Sequence, residues 1–319
     1  NKITDEGAIF ISKQTHIKQL SIAGNLLTDI GMSALEKVNF NKLSLVKEEI
    51  RTILYPKINN EEVNTFNFKG YDINSQDLVF ICRFLKQFTS VKTINLSGHD
   101  LTDESAKILS QLENKVALDL SKNSITHVGA AFLAKNEFIT ALNLTNNPLG
   151  IQAKIHLLRN SKNRELKIDC CIPLDIAYKI LSDDSTITSI SLEQKELSND
   201  DLFILSDLLQ NNTHVNGIQI NDCAVTSEGI KSLIAHERIT SLVISNNILI
   251  NTINILPDFQ SLKHLTVVIT NKSIELNSDM ILKLANETNI VRFRFRNTAG
   301  NYIKLDHTGD PKSSRYIEE

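Results

Sequence analysis

One recurring pattern limits what this chain can fold into. In ITALNLTNNPL, from Ile139 to Leu149, apolar residues stand at Leu142 and Leu144, an asparagine follows at Asn147 and another leucine at Leu149. Apolar residues separated by a single position describe a short strand with one buried face. An asparagine three residues past such a strand can hydrogen-bond backbone groups of its own turn and of a neighbouring copy. The paired positions recur as Leu20/Ile22, Leu43/Leu45, Phe66/Phe68, Ile94/Leu96, Leu118/Leu120 and Leu142/Leu144. They continue as Leu166/Ile168, Ile190/Leu192, Ile218/Ile220, Leu242/Ile244, Leu265/Val267 and Phe293/Phe295. Successive copies lie 23, 24 or 28 residues apart, so the chain is a stack of about twelve similar units.

Each unit carries a second signal. Thr4, Thr28, Thr102, Thr126, Ser198 and Thr226 share one position, where a hydroxyl can accept a bond from the first turn of a helix. Acidic residues follow, among them Asp5, Asp29, Asp103, Asp200 and Asp201, and oppose the positive end of the helix dipole. Apolar spacing then turns helical, as in Ala106, Leu109 and Leu112.

The spacing LxLxxN/CxL, seen at Leu142, Leu144, Asn147 and Leu149, resembles the leucine-rich repeat. A helix behind every strand resembles the ribonuclease-inhibitor-like branch of that family, and the whole is similar to repeat-built effectors that intracellular bacteria deliver into host cells. The resemblance implies an α/β fold, a right-handed solenoid bent into a horseshoe arc. A parallel β-sheet would line its concave face, with helices on the convex face. At about 4.8 Å per strand the inner arc would run to about 55 Å.

Residues 1–305 read as one solenoid domain and 306–319 as a disordered tail holding Gly309, Pro311 and no periodicity. The first residues repeat the end of a unit, with Asn1, Ile3 and Thr4 matching Asn25, Leu27 and Thr28, so an upstream segment is expected. Some units depart from the pattern. Glu48, Tyr71, His99, Lys195, Thr270 and Thr298 stand at the asparagine position, Arg51 at a cap, and Pro56 interrupts a convex segment.

Composition narrows the function classes. Hydrophobic content of 41% and charge of 22% describe a folded chain, and a net charge of −3 exerts no global pull on nucleic acid or anionic lipid. No apolar run approaches the roughly 20 residues of a membrane span. Four cysteines do not make a disulfide framework. Cys171 and Cys223 fall at the asparagine position as small buried residues, Cys82 on an apolar helix face, and Cys170 at an exposed one. No metal or cofactor motif is present: glycine-rich phosphate loops, GxSxG and paired-cysteine zinc spacings are absent. His99 reads as a turn residue, and no histidine pairs with a nucleophile and an acid.

The solvent-facing strand positions are mostly small and polar, with no aromatic anchors of the kind that dominate protein interfaces. Two places stand out. Asp119, Glu165, Lys167, Asp169 and Glu193 form a charged, mainly acidic cluster. In VRFRFR, Arg292, Arg294 and Arg296 share one face, with His264 beside Arg292. Three guanidiniums on one strand repel unless an anion or the tail's Glu318 and Glu319 meets them. The same charges could instead protect a terminal sheet edge from aggregation.

The leading reading is a non-catalytic protein-binding module. Resemblance to the bacterial effectors implies a host protein as partner and delivery to the host cytoplasm; without it the chain would be cytoplasmic. The nine charged residues above are the candidate contacts. A nucleic-acid or ribonucleoprotein binder using Arg292, Arg294, Arg296 and Lys304 is the alternative, opposed by the net charge. A GTPase activator acting through Arg51, or the binding half of a larger enzyme, is the third.

Overall fold

The computed structural model describes residues 3–14, 16–22, 25, 27, 29–37, 42–44, 50, 64–86, 90–160, 165–192, 196–221, 223, 225–233, 235–245, 248 and 252–268. It also describes the backbone of 292–296, 302–306 and 315–318. The chain divides into two compact units, Asn1–Asp169 and Cys170–Glu319.

In the first unit, β1 (Gln19–Ser21) and β2 (Lys42–Ser44) pair in parallel, with Leu20 opposite Leu43. A separate parallel sheet runs in chain order through β3 (Thr65–Asn67), β4 (Thr93–Asn95), β5 (Val116–Asp119), β6 (Ile139–Asn143) and β7 (Glu165–Lys167). Its register aligns Phe66, Ile94, Leu118, Leu142 and Leu166 in one row, each no more than 2% exposed. Phe68, Leu96, Leu120 and Leu144 are fully buried two residues further on. Burial of side chains of this size contributes about 1.5–3 kcal/mol each, so these rows hold the sheet to what lies behind it.

The described helices of this unit are α1 (Asp5–Ser12), α2 (Asp29–Glu36), α3 (Ser75–Leu85), α4 (Asp103–Leu109), α5 (His127–Ala134) and α6 (Ile151–Asn160). Ala106, Leu109 and Leu112 are buried, as their helical spacing predicts.

The second unit carries parallel strands β8 (Ser189–Leu192), β9 (Gly217–Ile220), β10 (Ser241–Ser245), β11 (His264–Val268) and β12 (Arg292–Arg296). Two further strands, β13 (Tyr302–Asp306) and β14 (Arg315–Glu318), add to β12 in antiparallel fashion. Where the sequence suggests a disordered tail, residues 315–318 are therefore in a sheet. Tyr316 and Ile317 favour strand, and β13 offers an edge with ladder groups to pair. The helices are α7 (Leu174–Leu181), α8 (Asn199–Leu209) and the five-residue α9 (Ser227–Lys231). After β10 comes a 3-10 helix, Ile253–Asp258, instead of the α-helix expected behind every strand. Pro257 lies within it and cannot donate a backbone bond.

Side-chain amides tie one repeat to the next. The Asn123 amide donates to the carbonyls of Leu120 in its own repeat and Leu96 in the one before, both at 2.9 Å. Its oxygen accepts from the backbone N–H groups of His99 at 2.9 Å and Leu101 at 3.0 Å. Asn147 repeats the arrangement on Leu120, Leu144 and Ile125. This is the ladder that the asparagine spacing predicts.

The acids after the caps do more than oppose a dipole. Asp103, at the start of α4, accepts from the Thr126 backbone at 2.8 Å, the Thr126 hydroxyl at 2.7 Å and the Gly129 backbone at 2.9 Å. It thereby satisfies the orphan donors at the start of α5. Burial would raise the Asp103 carboxyl, but those hydrogen bonds outweigh it and hold the group below its ordinary value. Asp5 does the same for Gly31, and Asn199 for Thr226. A side chain on Gly129 would meet Asp103 Oδ1 at 2.5 Å, so the close approach requires glycine. Of the hydroxyl caps, Thr126 accepts from Val128 N–H, whereas Thr4, Thr102 and Thr226 hold the extended cap geometry without such a bond.

Candidate functional site on the open face of the first-unit sheet

Between the buried rows of β3–β7 the alternate residues form two rows on the open face. One runs Thr65, Thr93, Ala117, Ala141, Glu165 and the other Asn67, Asn95, Asp119, Asn143, Lys167. Adjacent strands are about 4.8 Å apart, so side chains in a row touch unless they are too short to reach. Ala117 and Ala141 are too short. They open a depression of about 200 Å3 whose floor is their own β-carbons and the strand backbone at Leu118 and Leu142. Thr93 and Glu165 bound it along the alanine row, and Asp119, Asn143 and Lys167 along the other. Small-molecule sites begin at about 300 Å3, so this space suits one partner side chain better than a cofactor.

The register brings together three of the predicted contacts, Asp119, Glu165 and Lys167. Lys167 Nζ lies 3.4 Å from Glu165 Oε1, with both side chains more than half exposed, so the pair contributes at most about 1 kcal/mol. It leaves both groups free to exchange water for a partner.

Two of the acids also have local work. Asp119 Oδ1 accepts from Ser121 N–H at 3.0 Å, as Asn67, Asn95 and Asn143 accept from the residue two positions on. This position is a turn-forming one in β3 to β6, which accounts for one carboxylate oxygen of Asp119. Asp169 accepts from Asn146 N–H at 2.7 Å and so holds a residue with φ of +57°. Asp169 does not line the depression.

Glu193 and Arg51 lie outside the described residues. His264 is exposed at the start of β11, directly opposite Arg292. Of the partners the sequence offers the arginines, Glu318 is not one the register sets beside them: it lies opposite Ile303, in the row of Phe295. Ala117 and Ala141 are the site residues that charge and hydrogen-bonding type do not reveal. Their signal is smallness at positions where other copies carry polar side chains.

Among the described residues, His99, the Ser206–His236 pair and the cysteines have structural surroundings of their own. Burial pulls the His99 imidazole below its ordinary pKa, against the opposing effect of the Tyr71 and Phe68 carbonyls. The ring thus occupies the place of a ladder asparagine. Ser206 Oγ lies 3.0 Å from His236 Nε2 but donates to the Ser232 carbonyl at 2.7 Å. A nucleophile–base pair needs that proton on the imidazole. Cys82 and Cys223 are buried, while Cys170 and Cys171 are both half-buried, so Cys171 is less enclosed than its position in the repeat suggests. Among the described residues no group of three or more His, Cys, Asp or Glu could hold a metal ion. No described helix is long and apolar enough to cross a membrane.

A family model of the leucine-rich repeat matches residues 13–35 and 89–110. Those stretches contain β1 with α2 and β4 with α4, one strand–turn–helix unit each. No curated protein matches the chain. Leucine-rich repeats serve in general as scaffolds for protein–protein interaction. The matched units, their repetition through parallel sheets and the amide ladder between copies fit an α/β solenoid of leucine-rich repeats.

Proposed function

We propose that this chain is a non-catalytic protein-binding module and that the depression over Ala117 and Ala141 receives a basic side chain of its partner. The observation that carries the reading is the gap those alanines leave in a polar row, with an apolar floor and carboxylates of Asp119 and Glu165 at its rim. An aliphatic stem would lie over the methyl groups of Ala117 and Ala141 while its cationic head met the carboxylates, which is how lysine and arginine bury their stems. A rigid repeat surface loses little entropy on binding, which favours such use. The helix behind most strands supports placement in the ribonuclease-inhibitor-like branch. Resemblance to effectors of intracellular bacteria supports a host protein as the partner and the host cytoplasm as the place of action.

The test is quantitative capture from host-cell lysate with Ala141→Arg as the comparison. The new side chain occupies the depression and neutralises its rim without entering the core. A partner retained by the wild type and lost from the variant supports the site. Equal recovery of every captured protein by both would remove it.

A further inference from the structure

The arginine strand is not the edge of its sheet. β12 lies between β11 and β13, and β14 lies beyond β13. Edge protection therefore does not explain its charges, since unpaired ladder groups are what such charges guard. The antiparallel strands add to the cations. Arg294 stands directly opposite Lys304, and Arg292 opposite Asp306, which in turn stands opposite Arg315. These rows continue the ones that begin at exposed His264 and half-buried Thr266 on β11, whereas Phe293 and Phe295 continue those of buried Leu265 and Val267. Five cations and one acid thus share the face continuous with the open side of β11, in a chain whose net charge is −3. Register thus sets two cations, Arg294 and Lys304, directly opposite each other in a row that holds no acid.

We propose that this face of β12–β14 binds an acidic segment of a protein. The site is separate from the depression in the first unit and has the opposite charge. Alternate residues of a strand repeat at about 6.6–6.8 Å, so Arg292, Arg294 and Arg296 match carboxylates at every second position of an extended acidic peptide. A single-stranded nucleic acid would need aromatic stacking platforms as well. These rows provide one aromatic residue, Tyr302 opposite Arg296.

The experiment measures fluorescence anisotropy of labelled oligoglutamate and, separately, labelled oligouridylate against the full chain at low and physiological salt. Arg294→Gln/Lys304→Gln removes two charges while keeping length and polarity, and circular dichroism checks its fold. Oligoglutamate should bind, and should bind about tenfold more weakly to the double variant, as loss of two partly screened ion pairs predicts. Ala141→Arg should leave this binding unchanged, which separates failure here from failure of the first-unit site. Absence of oligoglutamate binding, equal binding by the folded double variant, or tighter binding of oligouridylate would each overturn the proposal. If the double variant does not fold, Arg315→Gln on the outer strand takes its place with the same readout.

Discussion

Replacing Asn123 by alanine should uncouple the fourth and fifth repeats. The side chain is 7% exposed and its oxygen accepts from two backbone N–H groups of the preceding repeat, His99 and Leu101. Its amide supplies the carbonyls of Leu96 and Leu120. Leu120 keeps a second donor, the amide of Asn147 at 2.8 Å, so that carbonyl is not orphaned. The main cost comes from the two N–H groups. Each buried group left without a partner costs about 1–3 kcal/mol, so the loss should be about 2–6 kcal/mol. That is a large part of the roughly 5–15 kcal/mol typical of a whole domain. Asn143→Ala is the control. It removes the two bonds that the partly exposed Thr145 donates, from its backbone N–H and its hydroxyl, and since water can replace both it should cost about 1 kcal/mol. Urea unfolding followed by circular dichroism gives both values, and hydrogen exchange at the Leu101 amide reports the local opening. A loss at Asn123 no larger than at Asn143 would refute the ladder as a source of stability.

Two further perturbations test the packing between repeats. Gly129→Ala should destabilise by about 1–3 kcal/mol, the usual cost of overpacking. Its new Cβ would lie 2.8 Å from Ile125 Cγ2 and 2.9 Å from Ala106 Cβ as well as against Asp103, and a thermal melt unchanged from wild type would contradict this. His99 and His236 are both lowered from 6.5 by burial, which exceeds the raising effect of nearby backbone groups. The unfolded chain therefore takes up these protons first, so stability is full above pH 6.5 and falls as pH drops from there through the folded pKa values. His99→Asn should reduce that decline in urea midpoints measured on either side of pH 6.5. The Asp103 contribution has its own window: present above the unfolded carboxyl value of about 3.8, and lost as pH falls through the lower folded value.

What the sequence determined by itself is the unit. Two apolar residues one apart, an asparagine three further and a helical spacing after it are local patterns, and local periodicity is read directly from residue order. All twelve predicted strands occur where those pairs stand, and Asn123 and Asn147 make the bonds that their spacing predicts. Tertiary structure decided what stands beside what. Leu142 marks a strand on its own, but Ala141 opens a depression only because register sets it between Ala117 and Glu165. Asp103 is an ordinary helix-start acid by sequence and a cap for the next helix by position. The pairing of β13 and β14 joins segments whose own periodicity is weak, and it changes Arg292, Arg294 and Arg296 from a sheet edge into an interior strand. Each of these is a relation between residues distant in sequence. It depends on the stacking of one repeat on the next, which no single repeat encodes.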